Sequence, residues 1–278
     1  MKYRVKKRAY QTVWFLILLF FFVLTVYPVI WMFFGSLKGA NEFYTNVWGI
    51  PENPQWSNFA EAWVSGALGR KFINSLIITA GSLVLLIPIN SCAAYALGRL
   101  RFKGRRVIYA FLLVGIMIPS GVLGIPTFTV ALRMGLNNTY VGLILIYVAQ
   151  SIAMGVFIMR SFFISLPKEL EEAALIDGCT PFGSFLRVIL PLAKPGVMTQ
   201  IIFNGLSIWN EYFMANIMLT DPSKLTLPLS MANFVGQHTT NYPMLFAALS
   251  IATLPVIITY VVAQKGFIEG ISAGAVKG

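Results

Sequence analysis

Six stretches of this chain stay apolar for twenty residues or more, with polar punctuation between them: Val13–Phe34, Phe72–Leu97, Val107–Leu132, Thr139–Phe163, Pro195–Leu219 and Met244–Ala263. A run of about 20 predominantly apolar residues crosses the hydrocarbon of a bilayer as a helix. Lipid offers no water to unpaired backbone groups, so such runs must be helical. The pattern predicts an all-α polytopic membrane bundle of six transmembrane helices, one transmembrane domain over residues 1–278. Pro28, Pro88, Pro119, Pro126 and Pro255 fall within the apolar runs. Each removes a backbone donor and bends its helix, and five together predict a bundle that encloses a cavity.

Composition agrees with the pattern. Only 11% of residues are charged, against about 25% in soluble domains, and the mean hydropathy is +0.75. The net charge of +11 forms no stripe suited to nucleic acid; it flanks the apolar runs. Sixteen of the 21 Lys and Arg lie in the N-terminal segment, Arg99–Arg106, Arg160–Lys194 and the C-terminal tail. The other five are Lys38, Arg70, Lys71, Arg133 and Lys224. Basic residues stay in the cytoplasm, so both termini are expected there. The first run exceeds a signal-peptide core of roughly 7–15 residues and is predicted to be an uncleaved span.

Little else suggests chemistry. Cys92 and Cys179 lack the spacing of a disulfide or metal site and read as reduced thiols. The single histidine, His238, has no catalytic company. No GxxxxGK[ST] phosphate loop is present, and no nucleophile–base set. The chain reads as no enzyme and as binding no cofactor, so if it works against a gradient the energy must enter through a partner or an ion. Two segments on the outer side, 36–71 and 221–243, can dock an external partner or simply connect spans.

Between the fourth and fifth runs, residues 165–191 read as two short helices. Pro167 suits a first helical turn, with Leu170, Ala173 and Ala174 on one face. Gly178 supplies a left-handed stop, and Thr180 caps a second helix with Pro181 behind it. Phe182, Phe185, Leu186 and Ile189 make its apolar stripe, and Leu190-Pro191 ends it. Helices this short are marginal alone in water. The membrane surface, the chain's own spans or a soluble partner can receive them.

The same segment resembles the EAA loop of ABC-importer permeases: Glu172-Ala173-Ala174, Gly178, then Val188 and Leu190-Pro191, with Val188 where the family usually has isoleucine. Asn74-Ser75-Leu76 at the second span, Trp209-Asn210-Glu211 in the fifth and the tail Gln264–Gly270 with Ala273–Gly278 extend the likeness to the carbohydrate-uptake, MalG-like branch. The resemblance implies that 165–191 is a cytoplasmic helix-turn-helix coupling loop seated in a cleft of a separate ATPase. ATP and Mg would be bound there, and Glu172, Ala173, Ala174, Gly178, Leu190 and Pro191 would mediate the coupling. The tail Ser272–Gly278 would also reach that interface. A second permease subunit, an ATPase dimer and an extracellular solute-binding protein would complete an importer in the bacterial inner membrane, working by alternating access.

Polar residues inside spans face a bundle interior or a water-filled cavity. Asn90, Gln150, Asn204, Asn210 and Glu211 are candidates for a substrate pathway, with Trp209 and Tyr212 as aromatic faces for a sugar. The same residues also suit interhelical hydrogen bonds and an interfacial aromatic belt. A different polar cargo such as glycerol phosphate would call for basic residues within the spans, and the sequence puts Arg133 and Arg160 near span ends. An ion-coupled secondary transporter would need internal repeats and broken helices with ionisable pairs at the midplane; the sequence shows no such repeat, and only Glu211 reads as an intramembrane acid.

Overall fold

The computed structural model describes residues 2–231, 234 and 240–275. His238 and the end of the tail, residues 276–278, lie outside them. The described chain is helical, in two compact units. Four of the six apolar runs form long single helices, covering Tyr10–Ser36, Leu68–Arg99, Tyr140–Ser165 and Tyr242–Val262.

The third and fifth runs are broken, and the six-span count rests on joining their pieces. In the third, α5 (Arg105–Met117) is separated from α6 (Gly124–Arg133). Pro119 explains the stop: it disfavours helical backbone in the residue before it, and Ile118 is extended at φ −85°, ψ 118°. Pro28, Pro88 and Pro255, by contrast, lie inside unbroken helices.

The first unit comprises Met1–Gly69 and Met231–Thr253. In it the helix α1 (Lys2–Ser36) is followed by α2 (Ala40–Thr45) and α3 (Ser57–Ser65). Within the segment 36–71, expected on the outer side, residues 37–56 are tied down by polar groups. Buried Lys38 donates to the Asn46 and Val47 carbonyls. Asn58 donates to the carbonyls of Ser36 at 2.8 Å and Lys38 at 2.9 Å. Trp31, Phe43, Tyr242 and Phe246 pack ring to ring, Phe43 stacking on Tyr242 at 5.3 Å. Aromatic pairs of this geometry contribute beyond simple area burial.

The second unit comprises Arg70–Ser230 and Leu254–Gly278. Here α7 (Tyr140–Ser165) packs on α5 and on α11 (Lys194–Trp209). Two apolar clusters hold it. One gathers Ile78, Leu143, Tyr147, Ile208 and Met218; the other gathers Leu97, Val156, Met159, Phe163, Phe185 and Ile189. A polar joint secures the 219–227 segment. Asn74, on α4 (Leu68–Arg99), donates to the carbonyls of Ser223 at 3.0 Å and Leu225 at 2.9 Å and accepts from the Tyr140 hydroxyl at 2.7 Å. Ser75 Oγ accepts from the Leu227 N–H at 2.8 Å.

Asn74→Ala strands two carbonyls and a hydroxyl in a half-buried site. Each stranded group costs about 1–3 kcal/mol, and partial access to water moderates the sum. The variant is expected to melt several degrees lower in detergent; an unchanged midpoint would show that the joint adds no stability.

Candidate functional site

The 165–193 segment is built as two short helical pieces from its own capping chemistry. The first, α8, runs Glu169–Ile176. Its start lies beyond Pro167, which stands just before the Lys168 cap and not in the first turn. At its end Gly178 takes φ +84°. The Gly178 N–H reaches the Leu175 carbonyl at 3.1 Å and the Cys179 N–H reaches that of Ala174 at 2.9 Å. These paired bonds make a Schellman stop, which favours glycine because the left-handed conformation is costly with a Cβ. Thr180 then caps α9 (Pro181–Ser184), its Oγ1 accepting from the Gly183 N–H at 3.0 Å.

Leu190-Pro191 does not end the second piece. A five-residue π-turn, Phe185–Ile189, leads into α10 (Leu190–Leu192). The chain then bends 70° at Ala193 into α11. In a regular helix the Pro191 ring would press on the carbonyl four residues back, and the wider π-turn relieves that crowding. The turn also splits the expected apolar stripe. Phe185 and Ile189 are buried in the bundle, whereas Phe182 and Leu186 are exposed.

The loop therefore has an inner and an outer face. Inside are Leu170, Ala174, Val188 and Leu190, packed against or buried with the bundle. Ala174 was expected beside Ala173 at an external contact; the structure turns it inward. Outside are Glu172, Ala173, Gly178 and Pro191. Around them stand Leu175, Ile176 at 86% exposure and Phe182 at 63%.

A polar tie joins α8 to the end of α4. Glu171 accepts from the Tyr95 hydroxyl at 2.7 Å and pairs with Arg99 at 3.5 Å. Arg99 also donates to the Leu166 carbonyl at 2.6 Å. The Arg99 side chain is 4% exposed and that of Glu171 18%. Sequence reading missed both residues, because 72 positions separate them and no local pattern connects them.

The polar residues inside the spans do not form one site. Asn90 and Asn204 are buried within this chain. They adjoin a residue not foreseen, Gln200, which is fully buried one helical turn before Asn204. The amides of Asn90 and Gln200 close on Gly155: a Cβ built there would lie 1.8 Å from Asn90 Nδ2 and 2.9 Å from Gln200 Nε2. Neither amide has a hydrogen-bond partner among the described residues.

Gln150 lies apart, in an apolar groove of about 520 Å³ between the α5–α6 region and α7. Trp209 is buried against Phe72 at 5.6 Å. It borders a cavity of about 180 Å³ that also carries Thr79 and Thr259. Asn210 bonds back to the Leu206 carbonyl at 2.9 Å. Glu211 is a capping group: it accepts from the N–H groups of Met214 at 2.7 Å and Ala215 at 3.1 Å and from the Tyr147 hydroxyl at 2.5 Å. It thereby starts α12 (Phe213–Met218), which is why the fifth run breaks here. Tyr212, in the break, is exposed. No group of three or more metal-ligating side chains occurs among the described residues.

Comparison with known proteins bears on the whole chain. The diacetylchitobiose uptake system permease protein NgcG of Streptomyces coelicolor is 34% identical over 94% of this chain and 87% of its own length. The melibiose/raffinose/stachyose import permease protein MelC of Bacillus subtilis is 38% identical over 87% and 88%. The crystal structure of a bacterial ABC transporter involved in import of the acidic polysaccharide alginate superposes with a TM-score of 0.80 at 25% identity, covering 94% of this chain and 98% of that one. The family model for binding-protein-dependent transport system inner membrane components matches residues 90–269, more than half the chain and all of the 165–193 loop, and this protein belongs to that family of ABC-importer permeases.

Proposed function

We propose that this chain is one of two permease subunits of an importer that carries an oligosaccharide inward, driven by ATP hydrolysis on a separate cytoplasmic subunit. The observation that carries the reading is the two-faced loop. Its inner face is fixed by the Glu171–Arg99 pair and by Phe185 and Ile189. Its outer face leaves Ile176 and Phe182 uncovered around Gly178. Exposed apolar side chains grouped on a polar-rimmed face mark a protein or membrane contact, and the match of this loop to the EAA motif favours a protein. Glu172, Ala173, Gly178 and Pro191 lie on that face and are assigned to it, and Ala174 and Leu190 support it from within. The tail from Ser272 is assigned to the same interface, and both termini to the cytoplasm.

Cargo is inferred from the relatives' named sugars and from the chemistry of the spans. Described charges are scarce among the helices, whereas amides, hydroxyls and aromatic rings are present, which suits neutral hydroxylated solutes. A route between two permeases must be lined by residues that a single chain leaves accessible. Asn210 and Tyr212 meet that condition, with Trp209 bordering its cavity. Asn90, Gln200 and Asn204 are enclosed within one chain, and we assign them to helix contacts.

An extracellular solute-binding protein would deliver the sugar, and ATP shifts the permease only through tighter binding of one of its states. The test is uptake of labelled di- and oligosaccharides by cells expressing the chain with its neighbouring transport genes. Uptake is expected to stop on ATP depletion and to persist with a protonophore. Loss with the protonophore while ATP is maintained would point to ion coupling and overturn the reading.

A further inference from the structure

We propose that the turn joining α4 to α5 seats the headgroup of an anionic phospholipid from the leaflet on the coupling-loop side. Between Leu100 and Ile108 stand four cations, Arg101, Lys103, Arg105 and Arg106, and no acid. Arg101, Phe102, Gly104, Arg105, Arg106 and Val107 line a concavity of about 410 Å³. Arg105 closes the turn by donating to the Leu100 carbonyl at 2.9 Å, and Gly104 takes φ +85°.

Two neighbouring arginines, by contrast, are engaged within the chain. Arg99 pairs with Glu171, and Arg160 lies over the Tyr109 ring at 3.9 Å. Arg101, Lys103 and Arg106 have no anionic partner among the described residues. Charge placed only to set topology needs no concavity and no particular neighbours. This cluster has both. Val107, Phe111 and Val114 sit at i, i+4 and i+7 on α5, and all three are exposed, Phe111 at 78%. No described residue of α5 is buried.

A basic pocket above an apolar helical stripe matches a phospholipid in both parts: guanidinium groups bind phosphate oxygens in pairs, and the stripe lies where an acyl chain runs. Such pockets recognise anionic headgroups on the cytoplasmic side. None of this site's residues is among those assigned above to the sugar route or the ATPase contact. It depends on the proposed function only for which leaflet it faces.

The test uses the full chain in nanodiscs containing phosphatidylglycerol or phosphatidylcholine, each with the same photoactivatable group on its headgroup. Labelled peptides are mapped by mass spectrometry. Label from phosphatidylglycerol is expected to concentrate in residues 100–114 several-fold over that from phosphatidylcholine, and to resist competition by inorganic phosphate. The double variant R105Q/R106Q should lose the enrichment. The triple variant R101K/R105K/R106K keeps the charge that sets topology but not the paired geometry, and should lose part of it. Equal labelling by the two lipids, displacement by inorganic phosphate, or full enrichment in R105Q/R106Q would each overturn the proposal. None of these readouts depends on transport.

Discussion

Gly178→Asp is expected to leave the protein in the membrane at normal amounts and to reduce sugar uptake about 100-fold or more, while ATP hydrolysis by the assembled importer continues. The folding cost is small. A Cβ at position 178 would meet no atom within 4 Å, so only the left-handed backbone, at φ +84°, resists the substitution. That resistance is about 1–2 kcal/mol for an ordinary residue, and Asp and Asn visit this conformation more readily than most. The functional cost is large because the empty space around Gly178 is the apex of the exposed face, where a seated partner would meet any new side chain. A 100-fold loss corresponds to about 2.7 kcal/mol of coupling.

A short series separates the two causes. Backbone strain alone ranks Asn above Ala at this position, whereas crowding at a contact ranks Ala above Asn and Asp. The expected order of uptake is Gly, Ala, Asn, Asp, measured beside membrane abundance and ATP hydrolysis. Normal uptake in Gly178→Asp would remove this loop from the drive train.

The features that were legible in the sequence are those set by neighbouring residues. The stop at Gly178 and the cap at Thr180 follow from local backbone chemistry, and the structure has both. The apolar runs appear as helices for the same reason, since hydropathy over a window needs no knowledge of the fold. The break after Met117 was also available, because Pro119 acts on the residue before it; the continuous apolar character of Val107–Leu132 masked it.

Other features depend on contacts that no window contains. The π-turn carries no side-chain signature, yet it decides that Phe185 is buried and Phe182 exposed. Glu211 looked like a rare intramembrane acid, and its work in this structure is to cap α12. Gln200 carried one readable sign, its spacing of four from Asn204, which puts both amides on one helical face. The meeting of Gln200 with Asn90 at Gly155 depended on the packing of three helices.

The tie between α8 and α4 gives the second large effect. A loop that is moved by a partner transmits motion only through what holds its inner face. For α8 the polar part of that hold is Glu171, which accepts from Tyr95 at 2.7 Å and pairs with Arg99 at 3.5 Å. Glu171→Ala leaves the Arg99 guanidinium, 4% exposed, without its counter-charge. Breaking a buried pair from one side costs about 3–5 kcal/mol. Partial exposure of Glu171 and the position of Arg99 in the last turn of α4, where the helix dipole favours a cation, reduce that to about 2 kcal/mol.

Glu171→Ala is therefore expected to melt earlier and also to hydrolyse more ATP per sugar imported. Tyr95→Phe removes one hydrogen bond and keeps the charges, so a smaller drop in melting temperature and a smaller rise in ATP per sugar are expected. Replacing both charges, as in R99M/E171M, removes the stranded cation, and apolar replacements of a buried pair often restore stability. If the pair acts only as a staple, coupling should recover along with the melting temperature. If the directional contact between α8 and α4 transmits the stroke, the melting temperature recovers while the ratio of ATP to sugar stays high, and this second outcome is the one expected. An unaltered ratio in Glu171→Ala would show that force reaches the spans through the apolar contacts of the loop's inner face alone.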